Sequence, residues 1–92
     1  MSTNLGTIEM HATKEIAFEK GRYLLHFSQN GAWAWNGLAY LDLTGYTAGS
    51  YFSWICNNFS DQLTVTVTTN GLTITSKLDR DINITYTCLK KY

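Results

Sequence analysis

The stretch of the chain that decides the fold is Gln62–Lys77, which reads QLTVTVTTNGLTITSK. Its leucine, valine and isoleucine residues alternate with threonine on both sides of Asn70-Gly71. Alternation with a period of two places apolar side chains on one face of a strand and hydroxyls on the other. Asn-Gly favours a two-residue type I′ turn, because both central residues of that turn need positive φ. The stretch therefore predicts a β-hairpin in which Val67 lies opposite Ile74.

The rest of the chain continues this pattern. Short runs rich in Thr, Tyr, Trp and Ile are separated by turn signals such as Asn36-Gly37, about every 8–12 residues. The absence of proline and the abundance of these residue types favour strands over helices. About eight strands at this spacing fit two packed sheets, and a single small barrel is the alternative. We therefore expect an all-β fold: a single domain over residues 1–92, built as a two-sheet, jelly-roll-like β-sandwich of about eight antiparallel strands.

Charge is sparse and balanced along the chain. Lys and Arg number seven, Asp and Glu number seven, and charged residues make up 15% of the sequence against 45% hydrophobic residues. Non-specific nucleic-acid binding needs clustered basic residues, so we expect no nucleic-acid partner. No window of about eighteen residues is apolar throughout, so we expect no membrane insertion. The first residues hold neither a basic region nor an apolar segment, which predicts no secretory signal. We therefore expect that the chain is made in a cytoplasm or is a piece of a longer protein.

Residues that could carry catalysis are few. His11 and His26 are the two histidines, and neither has a serine and a carboxylate at a spacing that suggests a Ser–His–acid arrangement. Asp79-Arg80-Asp81 could offer two carboxylates to a cation, but the further ligands of a calcium loop are missing, so a charged β-turn is favoured. We therefore expect no enzymatic activity, no cofactor and no metal site.

The two cysteines leave two alternatives. Cys56 and Cys88 both fall in apolar, strand-like segments, which favours two buried thiols over a disulfide. Without a Cys-x-x-Cys pair they cannot form a structural zinc site unaided.

Five aromatic residues in the middle of the chain are the candidates for contact with a ligand or partner: Trp33, Trp35, Tyr40, Tyr46 and Tyr51. Aromatic rings beside Asn, Ser and Asp side chains suit sugars, which combine apolar C–H faces with hydroxyl edges, and they suit protein partners equally. Alternation puts Trp33 and Trp35 on one face, with alanines opposite. That face could be buried in the core, lie between subunits or contact a ligand. Core packing is favoured, because tryptophan is rarely left exposed.

Four segments together give the chain a likeness to a known class of protein: Lys20–Leu25, Trp54–Cys56, the Thr-rich hairpin and Asp81–Tyr92. In style they resemble the small all-β tip and fibre domains of tailed-bacteriophage virion proteins. The resemblance implies a jelly-roll-like fold, a homotrimer, and a structural or attachment role through contacts with a host surface glycan or another virion protein. It also implies a location in the virion, or in the host bacterial cytoplasm before assembly. It assigns no binding residues, because this class shares no site motif.

Two functions therefore stay open. The first is a non-enzymatic bacteriophage structural or attachment module. The second is a small phage accessory protein that sequesters a small ligand such as a nucleotide, or that inhibits a host protein. The outward-facing residues of the hairpin are threonines. Edge strands of soluble monomers usually carry Lys or Pro, which prevent pairing with another chain. We therefore expect the hairpin to be central in its sheet or to lie against another copy in a homo-oligomer.

Overall fold

A computed structural model describes residues 3–29, 32–45 and 49–92, with the backbone alone for residues 32–34. In these ranges the chain forms eight β-strands and one short 3-10 turn. The strands are β1 (Thr3–Ile8), β2 (Thr13–Ala17), β3 (Gly21–Gln29), β4 (Ala32–Leu43), β5 (Tyr51–Asn57), β6 (Leu63–Thr68), β7 (Gly71–Ser76) and β8 (Ile82–Lys91). The 3-10 turn, η1 (Ser60–Gln62), lies between β5 and β6. No helix in the described ranges is long and apolar enough to cross a membrane.

The strands form two antiparallel sheets. The larger sheet has the order β1-β8-β3-β4-β5, and the smaller has the order β2-β7-β6. Strand β1 contacts β2 and β5 contacts β6, so the small sheet covers one face of the large one. The prediction of an all-β, two-sheet sandwich of about eight antiparallel strands is confirmed. The first strand pairs with the last and the second with the seventh, whereas β3, β4 and β5 are consecutive antiparallel neighbours in the large sheet.

The core lies between the sheets and is built by alternate residues of the facing strands. In β3 every second residue is buried, and the residues between them point to the outer face of the large sheet. Full burial of a Leu, Ile or Phe side chain contributes about 1.5–3 kcal/mol, so this layer is what holds the two sheets together. The buried hydrophobic residues of the described chain are Ile8, Ile16, Tyr23, Leu25, Phe27, Ala39, Leu41, Leu43, Phe59, Leu63, Leu72, Ile74, Leu78, Ile82 and Ile84.

The predicted hairpin is present as β6 and β7, with its apolar residues turned to the core, but its register and turn differ from the prediction. Val67 lies opposite Leu72 instead of Ile74, which leaves Thr69 and Asn70 as the two-residue loop. No residue of this turn has positive φ, so the predicted type I′ turn is wrong. The two registers differ by two residues and keep the same face inward. Alternation alone therefore could not choose between them.

The close approach of β2 explains the glycine at residue 71. A Cβ atom on Gly71 would stand 1.9 Å from the carbonyl oxygen of Ile16 and 2.9 Å from its carbonyl carbon. No side chain fits at that distance, so β2 pairs with β7 only because this position is glycine. Beside it, the N–H of Phe18 donates to the carbonyl of Asn70 at 2.9 Å. The hairpin register is thus fixed by a strand that lies far away in the sequence.

The predicted turn at Asn36-Gly37 is instead part of the interior of β4. A Cβ atom on Gly37 would lie 2.7 Å from the ring of Trp54 and 3.0 Å from the ring of Phe59. Glycine is needed here because two aromatic rings pack directly onto the strand. Strand β4 therefore continues through this point. The alternation between inward-facing and outward-facing residues is the same before and after Gly37.

Both cysteines are free thiols. Cys56 is exposed, so the prediction of a buried thiol is wrong for this residue, whereas Cys88 is half-buried and packs against the core. Cys56 is paired with Leu38 in the β4–β5 ladder, and Cys88 with the inward-facing Tyr23 in the β3–β8 ladder.

Replacing Gly71 tests whether close approach or turn geometry determines this position. We expect Gly71→Ala to lower the free energy of unfolding by roughly 2–4 kcal/mol, because the added methyl group forces β2 away from β7. Asn70→Ala is the matched control and should change it by less than about 0.5 kcal/mol, since the backbone of Asn70 has an ordinary φ. Urea denaturation of the two variants measures both values. A small effect of Gly71→Ala, equal to that of the control, would contradict the close-approach explanation.

Candidate functional site

A cleft opens at the end of the sandwich where β3 ends and β8 begins. It consists of two hollows, of about 450 and 240 Å³, that share Gln29, Asp79 and Arg80. The larger hollow is also lined by Thr7, Met10, Asp81 and Asn83. The smaller hollow is also lined by Trp35, Gln62, Leu78 and Ile82. These residues together form what we call the end cleft.

The charged turn Asp79-Arg80-Asp81, between β7 and β8, forms one wall of the end cleft. Its two carboxylates have different partners: Asp79 Oδ1 lies 2.6 Å from Nε2 of His11, and Asp81 Oδ1 accepts a hydrogen bond from the N–H of Met10 at 3.0 Å. Both partners belong to the turn between β1 and β2, in which His11 has a φ of +55°. The described residues hold no group of three or more His, Cys, Asp or Glu side chains placed to bind a metal ion. The carboxylates therefore join two turns of the fold.

Arg80 is bound to an amide that lines both hollows of the end cleft. With the Oε1 atom of Gln29 facing the guanidinium, Nη1 and Nε of Arg80 donate to it at 3.2 and 3.3 Å. Gln29 is only 8% exposed, so its amide is held in one place by the surrounding fold. These bonds use two of the five N–H donors that a guanidinium carries.

Trp35 joins the end cleft to the aromatic part of the core. Its ring is stacked on Phe59 with a centroid distance of 6.4 Å and an interplanar angle of 24°. Phe59 is fully buried and also contacts Phe27 and Trp54, with centroid distances of 6.5 and 6.3 Å. Trp35 is half-buried and packs against this cluster while lining the smaller hollow. It therefore offers a ligand an aromatic surface that is already fixed by core packing.

The end cleft joins this aromatic surface to amide, hydroxyl and guanidinium groups. Gln29, Gln62 and Asn83 can each donate and accept hydrogen bonds, whereas Arg80 can only donate. Two carboxylates flank Arg80 in sequence, so the named lining residues carry no net positive charge. The end cleft thus suits a neutral ligand with an apolar face and hydroxyl edges better than it suits a phosphate.

The two histidines lie on different surfaces. His11 is in the turn between β1 and β2, beside Asp79. His26 is exposed on β3, between Leu38 of β4 and Thr85 of β8 in the strand registers.

A further hollow, of about 290 Å³, lies at the opposite end of the sandwich. Its walls include Phe18, Tyr23 and Tyr86, whose ring centroids are 4.8–5.5 Å apart. The hydroxyl of Tyr23 donates to the carbonyl of Glu19 at 2.6 Å. These rings pack on one another, so their faces are less available to a ligand than that of Trp35.

Tyr40 and Tyr51 lie on the outer face of the large sheet, in a cluster with Arg22, Asp42 and Tyr92. The rings of Tyr40 and Tyr51 are 5.6 Å apart, and Tyr51 is 50% exposed. The hydroxyl of Tyr92 donates to Asp42 Oδ1 at 2.5 Å and accepts from Nε of Arg22 at 2.9 Å. Nε of Arg22 also lies 3.7 Å from Asp42 Oδ2. These contacts hold residue 92 across the sheet.

The same contacts shift the ionisation of this cluster. The hydrogen bond to Asp42 raises the pKa of the Tyr92 phenol above its usual value, because a phenolate there would face a carboxylate. The hydrogen bond with Tyr92 raises the pKa of Arg22, and desolvation raises the pKa of Tyr40.

The five aromatic residues predicted as a site are therefore not one cluster. Trp35 lines the end cleft, whereas Tyr40 and Tyr51 lie on the outer face of the large sheet. The side chain of Trp33 and the whole of Tyr46 lie outside the described residues.

Five polar residues of the end cleft were not predicted as ligand contacts: Thr7, Gln29, Gln62, Arg80 and Asn83. The two glutamines stand beside turn signals and were not considered as ligand contacts. Arg80 was considered only as part of a charged turn. No local pattern shows that the turn after β7 folds against the end of β3.

Comparison of the chain with protein-family models, with curated proteins and with solved structures gives no match in any of the three. The fold is a small all-β sandwich, and the end cleft combines aromatic and polar groups in hollows of ligand size.

The raised pKa of Tyr92 predicts a specific effect of alkaline pH. A phenol whose pKa is higher in the folded state stabilises the fold below its unfolded pKa, and this contribution is lost as pH rises through the folded pKa. The free energy of unfolding of the unmodified chain should fall between about pH 9 and about pH 11 as Tyr92 ionises. The fall should be smaller in Tyr92→Phe, because phenylalanine has no ionisable hydroxyl. Urea denaturation midpoints across that range provide the measurement.

Asp42→Asn is the companion variant, since it keeps the Tyr92 phenol and removes the carboxylate that raises its pKa. Its loss of stability with pH should follow that of Tyr92→Phe. Parallel curves for Tyr92→Phe and the unmodified chain would show that the hydrogen bond from Tyr92 to Asp42 does not contribute to the fold in solution.

Proposed function

We propose that this chain is a non-enzymatic attachment module of a bacteriophage particle that binds a neutral saccharide of the host surface in the end cleft. The observation that carries the proposal is the ring of Trp35, fixed on Phe59 and set in one hollow with the side chains of Gln29, Gln62 and Arg80. A sugar ring can stack its C–H face on the indole, while its hydroxyls meet amide and guanidinium groups. The assignment to a phage particle is supported by the resemblance of the strand segments to fibre and tip domains.

The size of the cleft is in keeping with one or two sugar rings. Small-molecule sites commonly have roughly 300–1,000 Å³. The larger hollow, of about 450 Å³, lies within this range, and the smaller hollow, of about 240 Å³, lies just below it. The Trp35 ring lines the smaller hollow and Asn83 lines the larger. A disaccharide could therefore stack one ring on Trp35 and extend the other past Arg80.

The charges of the end cleft favour this function over nucleotide sequestration. A nucleotide site concentrates positive charge or backbone N–H groups on the phosphates. Here the side chain of Arg80 is already bound to Gln29, and Asp79 and Asp81 flank it in sequence. A phosphate would meet a guanidinium that already uses two of its donors on Gln29, and it would approach two carboxylates.

A non-enzymatic role is supported by the partners of the titratable groups at the end cleft. Asp79 is held by His11 and Asp81 by the N–H of Met10, so both carboxylates are used in joining two turns. His26 stands on the outer face of β3 and is not among the residues that line the end cleft. General acid–base or nucleophilic catalysis would need a group free to exchange a proton with the bound ligand. Recognition alone needs only the surface and hydrogen bonds that the end cleft provides.

A glycan array of neutral and acidic saccharides tests the proposal, followed by calorimetry with the strongest ligand. We expect binding to neutral sugars, and a roughly tenfold or larger loss of affinity in Trp35→Ala, since removal of the stacking surface costs more than about 1.4 kcal/mol. Asn83→Ala, at the rim of the larger hollow, should weaken binding without disturbing the aromatic core. Circular dichroism confirms that each variant is folded.

Tyr51→Ala is the matched control, because it removes an exposed aromatic ring from the other candidate surface. It should leave saccharide affinity unchanged. Absence of binding to every sugar at high protein concentration would refute the proposal. A melting temperature raised by nucleotides would favour the accessory-protein function instead.

A further inference from the structure

Three kinds of surface meet in the smaller hollow of the end cleft, within about 240 Å³. Trp35 and Leu78 line this hollow with apolar groups. Arg80 adds hydrogen-bond donors, and the carboxylate of Asp79 adds acceptors. Ile82 also lines the hollow but has no exposed surface, so Leu78, which is 4% exposed, is the aliphatic side chain within reach of a ligand. A sugar hydroxyl can bond to the polar groups, but it leaves this aliphatic surface uncovered.

The guanidinium of Arg80 has donors left for a ligand. Its Nη1 and Nε atoms donate to the buried amide of Gln29, and no other described residue forms a hydrogen bond or an ion pair with it. Three of its five N–H groups therefore stay unused, one on Nη1 and two on Nη2. Because the bonds to Gln29 fix the guanidinium, these N–H groups meet a ligand in one orientation. A carbonyl oxygen is an acceptor that suits such charged donors.

Acceptors stand beside these donors. Asp79 directly precedes Arg80, and its Oδ1 atom lies 2.6 Å from Nε2 of His11, which leaves Oδ2 to accept from a ligand. Gln62 adds an amide whose side chain forms no hydrogen bond within the described chain. The backbone of Gln62 is fixed, since the N–H of Lys77 donates to its carbonyl at 2.8 Å. The smaller hollow thus offers donors, acceptors and apolar surface that the fold has already placed.

We propose that the end cleft selects saccharides that carry an acetamido group, an inference that rests on the proposed saccharide-binding function. The sugar ring stacks on Trp35. The acetamido carbonyl accepts from Arg80, and the acetamido N–H donates to the carboxylate of Asp79. The methyl group covers the exposed surface of Leu78. An acetamido group is neutral and joins an acceptor, a donor and an apolar end within a few atoms, so each part meets a side chain of the matching type.

Other substituents match the smaller hollow less well. A hydroxyl in place of the acetamido group does not cover Leu78 and leaves the guanidinium donors to water. A protonated amine brings a positive charge towards Arg80 and has no acceptor. A carboxylate pairs with Arg80 but approaches Asp79 and Asp81. A site that hydrogen-bonds one substituent discriminates against the analogue that lacks it, because the polar groups of the site are left unpaired.

Matched pairs of sugars test this selectivity. Methyl N-acetyl-β-glucosaminide and methyl β-glucoside differ only in the substituent on the second carbon of the ring, and the corresponding galactosides form a second pair. We expect NMR titration to give an affinity at least about tenfold higher for the acetamido member of one or both pairs. Equal affinities within both pairs overturn the inference but leave the saccharide-binding function standing. No binding of any saccharide, in these titrations or on the glycan array, overturns both.

Arg80→Met tests the contact assigned to the acetamido carbonyl. We expect the affinity ratio within the selective pair to fall below about threefold, since methionine keeps an apolar stem but has no N–H donor. Lys91→Met is the matched control, because it removes a cation at the opposite end of the sandwich, where Lys91 lies 3.5 Å from Glu19. It should keep the ratio of the unmodified chain. Melting curves establish that both variants are folded, and an unchanged ratio in folded Arg80→Met contradicts the proposal.

Nuclear Overhauser effects in the unmodified chain provide a measurement that needs no variant. In the complex with methyl N-acetyl-β-glucosaminide, the acetyl methyl protons should show contacts with the methyl groups of Leu78. The protons of the sugar ring should show contacts with the indole of Trp35. A bound sugar whose acetyl methyl group shows no contact with Leu78 overturns the proposal, whichever surface of the sandwich it contacts instead.

Discussion

The packing of Phe59 against β4 is the interaction on which the rest of this structure depends. Phe59 lies in the connection between the two sheets, and its buried ring contacts Phe27, Trp35 and Trp54. The approach is possible because residue 37 is glycine, since a Cβ atom there would lie 3.0 Å from the Phe59 ring. The same packing that joins β5 to the small sheet therefore also fixes the aromatic wall of the end cleft.

This arrangement explains how so small a domain can hold a preformed site. Trp35 is fixed by the core, Gln29 is nearly buried at the end of β3, and Arg80 is bound to Gln29. The turn that carries Arg80 is in turn bound to the neighbouring turn through His11 and Met10. A ligand would meet side chains that are already ordered, so less of its binding energy is spent on ordering them.

The sequence predicted the fold class, because alternation with a period of two is a local property of each strand. It did not predict the hairpin register, because that depends on Ile16 approaching Gly71 from a distant strand. Gly71 was predicted to be the second residue of the hairpin turn, whereas it is the first residue of β7. Similarly, Gly37 was interpreted as a turn residue, although it gives room to two aromatic rings.

That second error also affected the candidate site. Once β4 is continuous, alternation alone places Trp35 on the inner face and Tyr40 on the outer face, so the two could not share a site. Phe59 is flanked by Asn, Ser and Asp residues, which are typical of a loop. The sequence therefore did not indicate that its side chain is part of the core. The polar half of the end cleft depends on two turns and a strand end that meet only in the folded chain, and no sequence pattern brings them together.

The most direct test of the account is the response of the three tryptophan indole N–H signals to a saccharide in a proton–nitrogen NMR spectrum. The probe is the neutral sugar that gives the strongest signal on the array, and the signals are assigned by single Trp→Phe variants. The account predicts that the Trp35 signal shifts as the sugar is added, while that of Trp54, which is not part of the end cleft, stays nearly constant. Saturable binding that leaves the Trp35 signal unmoved would contradict it.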